Sequence, residues 1–196
     1  MSTSNFYALR ADDQELVFAA MKVFATTLSS AGFGKLTEEG LEEVKHGERF
    51  HWALDAGGGK IEFVVHDDQT MPAMVLEVTG PAKQVADVTP HVEKTFDIAP
   101  AHEVIETAKI EQADDPAMLV LSAWVATERD EAALMKLLKE ASDDDDVEVR
   151  RGAAMAAGVQ ATPALRKLVE AMAAKEGDAK LAKQMKRMLD IWRPTR

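Results

Sequence analysis

The chain contains no cysteine. That excludes a disulfide framework, cysteine-ligated zinc, thiolate-held iron–sulfur clusters and a cysteine nucleophile. It contains no run approaching 18 uninterrupted apolar residues, the length a bilayer-spanning helix needs. Positive charge is in deficit: 23 Lys and Arg stand against 34 Asp and Glu, a net charge of −11. A general binder of nucleic acid or anionic membrane is not expected from that balance. The first residues, Met1 to Phe6, have no basic cluster leading into an apolar run. No secretory leader is expected, and the expected location is the cytoplasm.

What is present fits a globular protein. Apolar residues make up 46% and charged residues 29% of 196 positions, close to the average for folded domains. The length suits one large domain or two small ones. Folding at this size buries roughly two-thirds of the unfolded chain's surface, enough for a core.

The first element starts at Asp12-Asp13-Gln14-Glu15, an acceptor followed three residues later by Glu, the arrangement of a capping box. Leu16, Ala20, Val23, Phe24, Thr27 and Leu28 recur at helical spacing and Gly32 is a suitable stop, so a helix is expected over about 12–31. Thr37, Leu41, Val44 and Gly47 predict a short second helix near 38–46.

The period then changes to two. Phe50, Trp52 and Leu54 alternate with Arg49, His51 and Ala53; after Ala56-Gly57-Gly58-Gly59, Ile61, Phe63 and Val65 alternate with Lys60, Glu62 and Val64. This is a β-hairpin with one apolar face. Met74, Leu76 and Val78 supply a third strand, and Gly80-Pro81 ends it. Helices must cover the apolar face: the first one, and a segment over 82–97 that Pro90 is expected to split or kink. Residues 101–111 fit a helix or an edge strand; Val104-Ile105-Glu106-Thr107-Ala108-Lys109-Ile110 favours a fourth strand. The fold class expected is α+β: a three- to four-stranded antiparallel sheet covered by helices over 1–111, then an all-α part over 112–196.

The second part repeats itself. Asp115, Leu119, Ala123 and Ala126 coincide with Asp145, Val149, Ala153 and Ala156 at an offset of 30, and Ala133 to Ala141 lies over Ala164 to Met172 at 31. A third start occurs at Asp178, with Leu181, Ala182, Met185, Met188 and Leu189 as its apolar face. Helices are expected near 116–127, 130–141, 147–158, 163–175 and 179–191, with Pro116 and Pro163 at helix starts. Small residues at Ala153, Ala154, Ala156 and Ala157 let neighbouring helices approach closely, and stacking supplies the core that one pair lacks.

The pattern Asp145, Val149-Arg150, Ala153-Ala154, Ala156-Ala157-Gly158 resembles the HEAT repeat in its short bacterial form, also found in phycobilin lyase-like proteins. Ala157 stands where that family has Leu. In the first unit Val120 takes the Arg position and Glu128 the Gly position. The likeness covers about 80 residues. It implies stacked helices whose surface binds other proteins, with the second helix of each unit lining the concave face. Lys136, Lys139, Glu140, Arg166, Lys167 and Glu170 are the candidate partner-binding residues on those helices.

Other constellations have plain explanations. Asp143 to Asp146 with Glu148 lacks the alternating ligands, turn glycine and distal Glu of a calcium loop, and suits an acid-rich helix start. Arg150 is a possible partner for Asp145. His46, His51, His66, His91 and His102 form no metal-binding spacing, and neither Gly57-Gly58-Gly59 nor Gly32-Phe33-Gly34-Lys35 leads into the residues of a phosphate loop. No Gly-x-Ser-x-Gly elbow exists. Trp52 suits the core, Trp124 a junction with the first domain, and Trp192 a capping contact or an interface. Residues 164–196 carry 9 basic and 4 acidic side chains, a basic end on an acidic body. A polar cap on the last repeat accounts for it, and a contact for an acidic partner is the functional reading.

The expectation is a cytoplasmic protein–protein interaction or adaptor module, without catalytic residues, cofactor, metal, nucleic-acid or membrane partner. A bacterial immunity or chaperone-like protein that binds and neutralises one toxin or effector is the alternative. An enzyme or bilin-binding lyase-like protein ranks third.

Overall fold

The computed structural model describes residues 2–11, 13–57 and 59–192. The expected cap at Asp12 and the turn position Gly58 lie outside them. The fold is α+β, in two compact units: residues 1–100 and 101–196.

The first unit is a six-stranded antiparallel sheet with two helices. Its strands are β1 (Ser2–Leu9), β2 (Leu36–Val44), β3 (Gly47–Asp55), β4 (Lys60–Asp68), β5 (Val75–Pro81) and β6 (Ile98–Ala99). They lie in the order β2-β3-β4-β5-β1-β6. The meander β2 to β5 is local, and β1 returns to pair along β5, from Ser2 opposite Pro81 to Ala8 opposite Val75. The expected hairpin is present in register, with Trp52 opposite Phe63 and Leu54 opposite Ile61. Its turn uses positive φ at Gly57 and Gly59, which costs glycine nothing sterically.

Residues 38–46 are not a helix. Glu38, Glu39, Glu42 and Glu43 have high helix propensity, but this segment lies in edge strand β2, paired with β3 through a bulge between Glu38 and Gly40. Pairing outweighs propensity here. The four glutamates give the edge a charge that discourages pairing with another chain. Strand β1 has no counterpart in the sequence reading, because Ser2, Thr3, Ser4 and Asn5 carry no apolar alternation.

Helix α1 (Gln14–Ser30) is capped by Asp13, whose side chain accepts from the Glu15 amide at 2.7 Å. It buries Val17, Met21, Phe24 and Leu28, whereas Leu16 and Val23 are exposed. The expected face is thus turned by about one residue. Two overlapping apolar stripes exist, and the sheet takes the one with the larger side chains. Phe24 meets Phe63 edge-on at 5.3 Å and Phe96 at 5.4 Å, a favoured aromatic geometry. Helix α2 (Ala82–Thr95) is continuous through Pro90 rather than split, and buries Val85, Val88 and Val92. Thr89, just before the proline, donates to the Val85 carbonyl at 2.9 Å. Trp52 is buried in this core.

Among its described residues the second unit is all helical: α3 (Ala101–Glu111), α4 (Ala117–Val125), α5 (Glu131–Ser142), α6 (Val147–Gln160), α7 (Pro163–Lys175) and α8 (Ala179–Ile191). The last five fall within two residues of their expected bounds. Residues 101–111 are helical, not a fourth strand; Val104, Ile105 and Ala108 form one buried face that packs on α4. A buried face of spacing 3–4 is satisfied by a helix alone. The pairs α3–α4, α5–α6 and α7–α8 pack face to face, and α4, α6 and α8 stack along one side. Ala153, Ala156 and Ala157 are fully buried. At Gly152 the approach to α4 is closer still: a Cβ there would lie 2.7 Å from the Pro116 carbonyl.

Candidate functional site

The six candidate residues of the second helices are on the surface of α5 and α7, with Arg166 half-buried. Four of them pair along their own helices. Lys136 reaches Glu140 at 3.9 Å, and Arg166 reaches Glu170 at 3.0 Å, the same i,i+4 pair one repeat later. Exposed pairs of this kind contribute about 0.3–0.5 kcal/mol each, so a partner can displace them. Lys139 and Lys167 are exposed beside them.

The acidic run is structural. Asp146 caps α6 by accepting from the Glu148 amide at 2.7 Å, and Asp144 accepts from the Asp146 amide at 2.8 Å. Asp143 pairs with Lys175. The expected partnership of Asp145 with Arg150 takes a different form: Arg150 donates to the backbone carbonyls of Asp144 and Asp145, both at 2.8 Å. Its remaining donors bind both carboxylate oxygens of Glu176 at 2.8 Å. The hydrogen bond from Arg150 is the main reason the Glu176 carboxyl is pushed down to about 2 from an ordinary 4.5. These residues line a cavity of about 240 Å³. Arg150 and Glu176 are committed to each other there and cannot serve as acid or base.

On the sheet, His66 Nε2 lies 2.9 Å from Glu77. Thr79 donates to Glu77 at 3.0 Å, and the Ser4 and Thr79 hydroxyls are 2.7 Å apart. Glu77 is held below the usual carboxylate range, chiefly by the bond from His66. Serine hydrolysis needs the order serine, histidine, carboxylate. Here the carboxylate stands between histidine and threonine, so among the described residues His66 is placed against Glu77 and not against Ser4. Among the described residues no group of three or more His, Asp or Glu could hold a metal ion. No helix among them is long and apolar enough to cross a membrane.

The sequence reading missed a surface on the other helices of the stack. Arg151, Ala154 and Met155 of α6 and Leu181, Gln184, Met185 and Met188 of α8 line a groove of about 210 Å³. Its signal was present as Met188, which the sequence places on the apolar face of the last helix, and as Met155 within 147–158. Met155 is 54% exposed. Trp192, past the end of α8, donates to the Ala161 carbonyl at 3.3 Å. That contact lies at the end of α6, where Ala161 is the capping residue.

No family model, no curated protein and no solved structure matches this chain.

Proposed function

We propose that this chain is a non-catalytic protein-interaction module, an adaptor whose C-terminal unit is a short HEAT-like helical repeat. The observation that carries the reading is the use to which the polar side chains between the start of α6 and the end of α7 are put. Arg150, Glu176, Asp144 and Asp146 are bound to one another or to backbone groups. The helical unit also presents exposed charged stripes on α5 and α7 and an apolar groove between α6 and α8. Stacked helices present such surfaces to partner proteins.

Lysine-reactive crosslinking in the source cells, read by mass spectrometry, tests this. Lys136, Lys139 and Lys167 are expected to crosslink to one defined partner protein. Crosslinks confined to the chain itself would refute the proposal.

A further inference from the structure

We infer that the groove between α6 and α8 docks an acidic amphipathic helix of a partner protein; this rests on the interaction reading above and names the occupant of one surface.

The groove floor is apolar and adaptable. Met155, Met185 and Met188 line it with Leu181 and Ala154. Val159, one turn beyond Met155, is 37% exposed, and Ile191, beyond Met188, is 77% exposed. Methionine is unbranched and polarisable, and repacks around different side chains. At about 210 Å³ the groove is smaller than the roughly 300–1,000 Å³ of sites that enclose small molecules. It suits aliphatic side chains projecting from a helix, the mode in which an amphipathic helix lays its apolar face in a groove.

The rim is cationic. Lys180, Gln184, Arg187 and Ile191 follow at spacings of four, three and four, which puts them on one stripe of α8. Gln184 lines the groove, so Lys180 and Arg187 stand one turn to either side of it on the rim. Lys183 and Lys186 are exposed further round. None of these four cations makes an ion pair among the described residues, whereas five of the seven cations of α5, α6 and α7 do so: Lys136, Arg150, Arg151, Arg166 and Lys175. A solvated cap needs polar residues, but it does not need four unpaired charges of one sign beside open methionines. The complement is a helix with aliphatic residues on one face and carboxylates on the flanks. Charge of this kind sets orientation and association rate, and the apolar face supplies affinity. Nucleic acid offers no aliphatic side chains for the groove, and the net −11 of the chain repels a long polyanion.

The probe is a 20-residue synthetic helix with Leu on one face and Glu on the other, followed by fluorescence anisotropy against the full chain. Its controls are the same helix with Lys for Glu. Micromolar binding of the acidic helix is expected, with the Lys helix weaker by about tenfold or more, a difference of about 1.4 kcal/mol. Met155→Glu should weaken the acidic helix about tenfold. Lys180→Glu with Arg187→Glu should do the same and flatten the salt dependence. All three positions are exposed, and circular dichroism checks that the variants fold. Three results overturn the proposal: no saturable binding of the acidic helix, equal or tighter binding of the Lys helix, or an affinity unmoved by Met155→Glu. A dimer that Met155→Glu dissociates would also overturn it, by giving the groove to a second copy. Partner crosslinks through α5 and α7 that survive Met155→Glu would sink the groove and leave the adaptor reading standing. Loss of every partner crosslink from the wild-type chain would remove the adaptor reading itself.

Discussion

Arg150 and Glu176 are joined by two parallel hydrogen bonds of 2.8 Å, with 2% of the Glu176 side chain exposed. The guanidinium also holds the carbonyls of Asp144 and Asp145. One side chain therefore ties the loop before α6 to the end of α7. Bidentate pairing of this sort is geometrically demanding, and lysine cannot reproduce it.

Its pH dependence has a definite sign. The folded-state value of Glu176, about 2, lies below the ordinary 4.5. The pair's contribution is therefore complete above about pH 4.5 and is lost as pH falls toward 2. Glu176→Gln should cost about 1–2 kcal/mol at pH 7, discounted because 19% of the Arg150 side chain stays open to solvent. Melting temperatures of wild type and variant should converge as pH approaches 2. A gap that stays constant between pH 7 and pH 3 would contradict this.

Close packing between α4 and α6 gives a second test. Gly152→Ala would put a Cβ 2.7 Å from the Pro116 carbonyl and 3.1 Å from Leu119 Cδ1. Backbone yields little, so a loss of about 1–3 kcal/mol is expected. Gly177→Ala meets nothing within 4 Å and should be nearly neutral. Chemical denaturation of both variants decides whether the helices are stacked in this register.

Ala153 and Ala154 separate core from groove. Ala153 is fully buried, while Ala154 borders the groove. Ala153→Leu should cost about 1–3 kcal/mol through overpacking. Ala154→Leu has the groove to extend into and should cost less. Thermal melts of the two variants should differ in that order; equal losses would mean that the groove is not open.

Lys139→Ala removes an exposed side chain on α5. Its effect on stability should stay below about 0.5 kcal/mol. Alanine cannot itself crosslink, so a loss of partner crosslinks at Lys136 and Lys167 is the readout that reports on binding and not on folding.

Helix α3 belongs with the helical unit, and truncation measures what it contributes. A fragment of 112–196 removes the buried Val104, Ile105 and Ala108 that pack on α4. It should melt less cooperatively than a fragment of 101–196, as expected when a terminal helix of a stack is lost. Indistinguishable calorimetric transitions would show that α3 is dispensable.

The five helices from Ala117 onward were legible because most carry local punctuation and all follow the repeat. Asp146, Thr162 and Asp178 accept from amides in the first turn of α6, α7 and α8, and the apolar spacing repeats every 30 or 31 residues. The hairpin of β3 and β4 was legible from alternation and its glycine turn. Both signals arise from interactions over a few residues. Strand β2 was not legible, because its glutamates favour a helix locally and only pairing along β3 makes it a strand. Strand β1 was not legible either, since its partner β5 lies more than 60 residues away. Likewise α1 offered two apolar stripes that share Phe24 and Leu28, and only packing in the tertiary core selected the one with Val17 and Met21. The candidate surface divides in the same way. Composition alone placed a basic end on an acidic body, and periodicity placed Met155 and Met188 on helices. That these methionines share a groove with Lys180 and Arg187 on its rim depends on how α8 docks on α6 and α7. Docking is decided by shape complementarity between helices far apart in the chain, which no local pattern encodes.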